Sequence, residues 1–213
     1  MTFTQDAPRN DGLQRIQLIR KAALFAIFAT LFVLLCCVDS VWRSEAPAFY
    51  AALEWFGLIL ICVCIAGRTW STLYIGGRKK DELVTLGPYS IVRNPLYVFT
   101  LIGAFGIGAQ FASLVVAFAL TATVAIVFNT VVHKEEAFLA AAFPAAWANY
   151  SARVARFVPR FSLWRDAEVL TIKPQLVTRT FRDACLFAIA IPGVDLIEAA
   201  QQHGLFPVLA LLP

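Results

Sequence analysis

The residues best suited to chemistry stand where a polar stretch meets an apolar one, in the run Arg93-Asn94-Pro95. Asn is a favoured N-cap residue and Pro fits the first helical position, so the run predicts a helix that begins at Pro95. The N-terminus of such a helix carries free N–H groups and partial positive charge, which suit a carboxylate or a phosphate, and Arg93 adds a fixed charge. A helix start without a ligand would need the same residues, so the pattern leaves both interpretations open.

Two adjacent carboxylates, Glu135 and Glu136, follow the next apolar stretch. Because desolvation near the hydrocarbon boundary is costly, each should have a cationic partner or a bound cation, although a solvated helix end explains them equally well. Neither His133 nor His203 has a second histidine at ligand spacing, so we predict no metal site. The five cysteines lie in or beside apolar stretches and are expected to be buried and inert.

The composition places these groups in a membrane protein, since 60% of the residues are apolar and 15% are charged. We predict an all-α integral membrane protein with one domain over residues 1–213. Its elements are expected to be four main transmembrane helices at about 22–38, 49–66, 96–111 and 113–132, cytoplasmic polar segments at 68–94 and 133–182, and a C-terminal apolar segment at 184–213. The third and fourth helices should form a tight hairpin with close packing at small residues. The C-terminal segment, broken by Pro192 and Gly193, should be a re-entrant hairpin or a fifth span.

Positive charge predicts the orientation of the chain in the membrane. Of the 18 Lys and Arg residues, only Arg43 falls in the loop between the first and second predicted spans. The others lie on the opposite side, which should be the cytoplasm, so the N-terminus is expected there too. The net charge of +4 then reflects membrane topology and not nucleic-acid binding. A polytopic helical chain of this kind is expected in a bacterial inner membrane.

Part of the second polar segment predicts an amphipathic helix that lies in the membrane interface. Pro144 interrupts this segment, and a stripe of apolar and aromatic residues has helical spacing: Leu139, Phe143, Trp147, Tyr150 and Val154. Arg153 and Arg156 follow and would face lipid headgroups.

The two polar segments together resemble the signature of the isoprenylcysteine carboxyl methyltransferase and phospholipid methyltransferase families. The first part runs from Leu83 to Tyr97 and contains Gly-Pro-Tyr and then Arg-Asn-Pro-Leu-Tyr, and the second part combines the pair at 135–136 with residues up to Phe157. The resemblance covers roughly residues 68–161. Asn94 stands where the family usually has histidine, so only hydrogen bonding is left at that position. Ala155 replaces a common proline.

This resemblance implies an S-adenosylmethionine-dependent methyltransferase whose cofactor enters from the cytosol and whose hydrophobic or lipid acceptor arrives from the bilayer. By resemblance, the cofactor-binding residues are Gly87, Pro88, Tyr89, Arg93, Asn94, Pro95, Tyr97, Glu135 and Glu136. Trp147 would join the tyrosines around the adenine or the sulfonium. Arg153, with Arg93 as second choice, would orient a carboxylate acceptor, and Glu136 would be the base for an amine acceptor.

A different class of function also fits the apolar helices and the basic face. In a non-catalytic membrane scaffold or small transporter subunit, Glu54, Asp195 and Glu198 would mark a pathway through apolar segments. That interpretation leaves the ordered motif unexplained. A heme or quinone redox protein would need ligand histidines, and the chain has 2 histidines in all. The acceptor and the oligomeric state are left open by the sequence.

Overall fold

A computed structural model describes residues 33, 35–78 and 82–213 of the chain. The first predicted span, at 22–38, lies outside the described residues apart from its last few positions. The described part consists mainly of helices: α1 (Trp42–Glu45), α2 (Pro47–Ile75), α3 (Pro88–Ile91), α4 (Pro95–Gln110), α5 (Leu114–Ala142), α6 (Pro144–Arg153), α7 (Pro174–Cys185) and α8 (Ala190–Gln202). Two 3-10 turns, Phe161–Leu163 and Leu186–Ile189, and two short strands, β1 (Val38–Ser40) and β2 (Ala210–Leu212), complete it.

Helices α2 and α5 are long and apolar enough to cross a membrane. Each has 29 residues, and only 22% and 17% of their most apolar windows are buried inside the protein. A rise of about 1.5 Å per residue makes each roughly 44 Å long, which exceeds the roughly 30 Å of a hydrocarbon core. Because so much of their apolar surface faces outward, these helices suit lipid better than the interior of a soluble fold. Together they indicate a membrane protein.

Two helices, α4 and α5, occupy the segment predicted as a hairpin, and the turn between them is short. Ser113 caps α5 by accepting a hydrogen bond from the Val116 amide at 3.3 Å. A Cβ atom on Gly108 would lie 2.3 Å from the Ala117 Cα atom, so only glycine permits this approach. Close packing also joins α4 to α2, where a Cβ on Gly57 would lie 2.7 Å from the Gly106 carbonyl oxygen.

The end of α5 differs from the prediction in a way that matters for the site. We expected the helix to stop near residue 132 and a polar segment to begin at 133, but α5 continues to Ala142. Residues 133–142 are polar at first, yet they are mostly Lys, Glu, Leu and Ala, which are strong helix formers. The polar residues end the apolar run without ending the helix. Glu135 and Glu136 therefore stand on a rigid helix.

The C-terminal segment is packed against the start of the described chain. Pro192 and Gly193, which we read as interruptions, lie within α8. Beyond α8, β2 pairs in parallel with β1, with Val38 opposite Ala210. The all-α prediction misses this small sheet, because three-residue strands leave no periodic pattern. A cluster of buried apolar residues forms the core beside it: Cys36, Phe111, Val116, Val194 and Ile197.

Candidate active site at the end of α5

Two distant chain segments are joined by backbone hydrogen bonds beside α4. The Arg93 amide donates to the Ala155 carbonyl at 2.9 Å, and the Arg160 amide donates to the Ile91 carbonyl at 2.9 Å. The buried Tyr150 hydroxyl adds a bond to the Tyr89 carbonyl at 2.8 Å. Burial raises the pKa of Tyr150, so the hydroxyl keeps the proton that it donates. The two parts of the motif therefore form one unit although they are far apart in sequence.

Glu136 lies at the centre of this unit and is almost fully buried, with 7% of its surface exposed. Its Oε2 atom accepts hydrogen bonds from Arg156 Nη2 at 2.6 Å and Nε at 3.0 Å. Arg93 Nη1 lies 3.5 Å from the same oxygen. Glu136 thus has cationic partners, as the sequence argument required of a carboxylate at this position.

Asn94 contributes to the same network through its side chain. It occupies the N-cap position of α4, but its side chain makes no capping hydrogen bond. Instead its Nδ2 atom donates to Glu136 Oε1 at 3.1 Å and to the Arg156 carbonyl at 3.4 Å. The expected side-chain cap is therefore absent. The side chain instead takes the orientation in which its N–H group meets the charged carboxylate of Glu136, because a hydrogen bond to a charged group is stronger than a neutral one.

A cavity of about 690 Å³ opens beside Glu136, within the usual size of small-molecule sites. Seven of the predicted cofactor-binding residues line it: Tyr89, Arg93, Asn94, Pro95, Tyr97, Glu135 and Glu136. Trp147 lines it as well, and the Arg93 guanidinium lies 5.6 Å from the centre of its ring. The structure therefore brings most of the predicted residues around one space.

Gly87 and Pro88, also predicted to bind the cofactor, do not line this cavity. Gly87 has φ of +58°, and a Cβ atom there would lie 2.3 Å from the Tyr74 ring. Pro88 begins the short helix α3, and both residues are buried. Their position makes them part of the scaffold that carries Tyr89.

Arg153, the first choice for orienting an acceptor, lies on the outer surface. It is exposed, its Nε atom donates to the Asn149 carbonyl of its own helix at 3.2 Å, and it does not line the cavity. Helix α6 ends at Arg153, and the chain is extended at Val154 with ψ of 125°. The sequence predicts a helix that continues through Val154. Because the helix ends at Arg153, Arg153 and Arg156 do not lie on one helical face. Arg156, which the prediction did not include among the site residues, makes the contact with Glu136.

Several polar atoms at the cavity have no hydrogen-bond partner. Within the described part of the chain, four buried side-chain nitrogen or oxygen atoms lack a partner, and three belong to cavity residues: Tyr89 Oη, Arg93 Nε and Arg68 Nε. Burial raises the pKa of Tyr89 well above its usual value, so its hydroxyl stays neutral and can donate or accept. Unsatisfied buried groups are costly, and a ligand with polar atoms would satisfy them.

Sequence reasoning missed Arg68, Tyr150 and Arg156 as members of the site. Arg68 precedes the part of the signature at 83–97 and falls in the predicted polar segment at 68–94, whereas the structure places it within α2, which continues to Ile75. Among the described residues, no group of three or more His, Cys, Asp and Glu side chains is placed to hold a metal ion.

Known proteins are similar to this chain over much of its length. The model of the phospholipid methyltransferase family matches residues 51–146. The chain is 38% identical to the cobalt-zinc-cadmium resistance protein CzcN of Cupriavidus metallidurans over 165 residues. This aligned region covers 76% of this chain and 73% of that protein. It is 34% identical over 175 residues to the nickel-cobalt-cadmium resistance protein NccN of Alcaligenes xylosoxydans xylosoxydans, which covers 82% and 79%. No solved structure matches it. On the motif, the family match and these relatives, the chain belongs to the phospholipid methyltransferase family.

Proposed function

We propose that the protein is an S-adenosylmethionine-dependent membrane methyltransferase that acts on a lipid-like or prenylated acceptor at the cytoplasmic membrane face. The observation that carries this proposal is the convergence of both motif segments on one cavity. Arg93 and Asn94 come from the first segment, and Glu136 and Trp147 from the second. The chain would span a bacterial inner membrane by four main helices, with its N-terminus in the cytoplasm. Residues 184–213 would form a fifth span, because β2 lies beside β1 in the loop between the first two predicted spans.

The residues at the cavity fit the chemical groups of this cofactor. Arg93 suits its carboxylate, while Glu135 or Glu136 suits its ammonium or ribose hydroxyls. The rings of Tyr89 and Trp147 suit its adenine or its sulfonium. When bound, S-adenosylmethionine supplies an electrophilic methyl group on a positively charged sulfur. Tyr89 Oη and Arg93 Nε, which lack partners, would gain them from such a polar ligand.

A groove on the lipid-facing side supports a hydrophobic acceptor. It has a volume of about 380 Å³ between α4 and α5 and is lined by Leu101, Ala125, Ile126, Phe128, Asn129 and Phe157. Phe128 packs against Tyr97 with their ring centres 4.7 Å apart, and Tyr97 lines the main cavity. An apolar chain in the groove would therefore lie next to the site. We propose either O-methylation of a carboxylate or N-methylation of a phospholipid amine.

The chain's own contribution would be alignment and exclusion of water. Transfer from a sulfonium to an anionic oxygen removes two charges, so a dry and ordered site favours it. The network around Glu136 fixes the position of Arg93 at the cavity wall. For an amine acceptor, Glu136 would have to accept a proton while Arg156 and Arg93 hold the same carboxylate, so the carboxylate acceptor makes fewer demands on this network. Both relatives are named for metal resistance, and we infer that the methyl transfer serves the same physiological setting.

The alternative is a non-catalytic scaffold or small transporter subunit based on acidic residues far from this cavity. Glu198 is paired with Arg43 at 2.7 Å and accepts a hydrogen bond from the Tyr50 hydroxyl at 2.6 Å. Glu54 and Asp195 belong to the same region of charge, and none of these residues lines either of the two cavities described above. A network that is internally paired supports packing of α8 better than it supports a pathway.

Calorimetric titration of the solubilised protein with S-adenosylhomocysteine tests the proposal. We expect binding by the wild type, loss of binding in Arg93→Ala and Trp147→Ala, and retention in Arg179→Ala, an exposed arginine on α7. If folded wild-type protein does not bind S-adenosylhomocysteine, the scaffold or transporter interpretation is favoured.

A further inference from the structure

The deep end of the cavity contains an arginine that the proposed cofactor contacts do not use. Arg68 lies on α2 about two helical turns before Ile75, or roughly 10 Å along the helix axis. Both residues line the cavity, so the cavity extends from the end of α2 back along the helix towards its apolar middle. Arg93, by contrast, precedes the start of α4 and lies beside Glu136.

The guanidinium of Arg68 is held in place by a neutral group. Its Nη1 atom donates to the Thr100 hydroxyl, and that hydroxyl donates in turn to the Leu96 carbonyl at 2.7 Å. Thr100 is buried, with 6% of its surface exposed. The hydroxyl therefore orients Arg68 without neutralising its charge.

Arg68 also differs from the other arginines of the protein interior in its charge balance. Arg93 and Arg156 share Glu136, and Arg43 is paired with Asp39 and Glu198. Among the ion pairs of the described residues, none includes Arg68, and its buried Nε atom has no hydrogen-bond partner. A charged group with no ion-pair partner on an apolar helix is costly to keep, which makes it a candidate for ligand binding.

We propose that Arg68 recognises an anionic group, a carboxylate or a phosphate, on a membrane-borne methyl acceptor. With Nη1 bound to Thr100, the other N–H groups of the Arg68 guanidinium are left to donate to an oxyanion, and a guanidinium matches both anions well. Both acceptor types of the proposed function, on which this inference rests, carry such an anion, so the inference adds the residue that recognises it. The anion is either the methylated carboxylate itself or a phosphate beside the methylated group.

Titration with matched lipid probes in uncharged maltoside micelles tests the assignment. The probes are oleate against oleyl alcohol, and dioleoyl phosphatidate against dioleoylglycerol, each with and without S-adenosylhomocysteine. We expect the wild type to bind at least one anionic probe about tenfold more tightly than its neutral twin, as a hydrogen bond to a charged group implies. The probe that shows the preference distinguishes carboxylate from phosphate.

The variants separate Arg68 from a general effect of positive charge. Arg68→Gln should abolish the preference, Arg68→Lys should keep part of it, and Arg179→Gln should leave it unchanged. Thr100→Val, which retains the shape of the side chain, should weaken the preference and serves as the decisive variant if Arg68→Gln does not fold. S-adenosylhomocysteine affinity should stay unchanged in Arg179→Gln, and in the Arg68 and Thr100 variants it should fall by less than the anion preference, because Arg68 lines the same cavity.

Two results with the variants would overturn the assignment. One is an anion preference that survives both Arg68→Gln and Thr100→Val. The other is a loss of S-adenosylhomocysteine affinity in Arg68→Gln as large as the loss of anion preference, which would assign Arg68 to the cofactor carboxylate. A wild type that binds S-adenosylhomocysteine but shows no anion preference refutes this inference alone. An Arg68-dependent preference in a protein that never binds S-adenosylhomocysteine refutes the proposed function but leaves the anion site.

Discussion

Asn94 donates its side-chain amide to Glu136 across 3.1 Å, and this contact joins the start of α4 to the last turns of α5. The same amide lies 3.4 Å from the Arg156 carbonyl, so one side chain links three segments. The family usually has histidine here, and an asparagine can make the same hydrogen bonds without carrying charge. Residue 94 therefore keeps one charge state across the physiological pH range, where a histidine would titrate.

Replacing Asn94 by histidine should make cofactor binding depend on pH. Arg93 and Arg156 already neutralise Glu136, and the site is partly shielded from solvent, so a protonated histidine at position 94 would be disfavoured and its pKa should fall below the usual value of about 6.5. The neutral ring is then compatible with the network at higher pH, and both the stability of the network and its affinity for S-adenosylhomocysteine should be lost as the pH falls from about 6.5 towards the lowered pKa. Titration with S-adenosylhomocysteine between about pH 5.5 and 8.5 should show this change in Asn94→His and a flatter profile in the wild type. Equal profiles for the two proteins would show that residue 94 does not influence the site.

Glu136→Gln should damage both binding and stability. The substitution leaves Arg93 and Arg156 without their buried counter-charge, and breaking a buried pair costs about 3–5 kcal/mol. We expect a clear fall in the melting temperature together with loss of S-adenosylhomocysteine binding. Glu135→Gln is the informative comparison because that neighbour also lines the cavity but is less buried. Equal melting temperatures for Glu136→Gln and the wild type would contradict the role of Glu136 as the centre of the network.

Much of the site could be predicted from sequence because its motif fixes residue types in order. Tyr89, Arg93 and Tyr97, which occur in this order in the motif, all line one cavity, because Arg93 and Tyr97 flank the start of α4 and Tyr89 lies in the short helix just before it. The apolar lengths of α2 and α5 likewise follow from composition. These features depend on local sequence alone.

The remaining features depend on where helices end. Helix α5 passes through a charged stretch without stopping, while α6 stops at Arg153 although the apolar spacing continues to Val154. The end of α6 is set by hydrogen bonds to a distant segment, such as that between Arg93 and Ala155. Local sequence does not show these bonds, so spacing could not identify Arg156 as the partner of Glu136.

Whether Arg156 or Arg153 supports cofactor binding can be tested directly. Arg156→Ala removes both hydrogen bonds to Glu136 Oε2 and should lower S-adenosylhomocysteine affinity by about tenfold or more. Because Arg156 does not line the cavity, this effect acts through the position of Glu136 and Arg93. Arg156→Lys should recover part of the affinity, which simple loss of packing would not predict. Arg153→Ala should change little, and a larger effect there than at residue 156 would support the assignment made from sequence.

Gly87 offers a test of the scaffold that does not touch the cavity. Its φ of +58° disfavours any side chain, and an added Cβ would lie 2.3 Å from the Tyr74 ring. Gly87→Ala should therefore destabilise the protein by at least about 1 kcal/mol. Gly193→Ala is the matched control, because that glycine lies within α8 with nothing within 4 Å of the added atom, and it should be neutral or stabilising by up to about 1 kcal/mol. Thermal unfolding should show a clearly lower melting temperature for Gly87→Ala and an unchanged or slightly higher one for Gly193→Ala. A Gly87→Ala protein as stable as the wild type would mean that the loop before α3 can adopt another path.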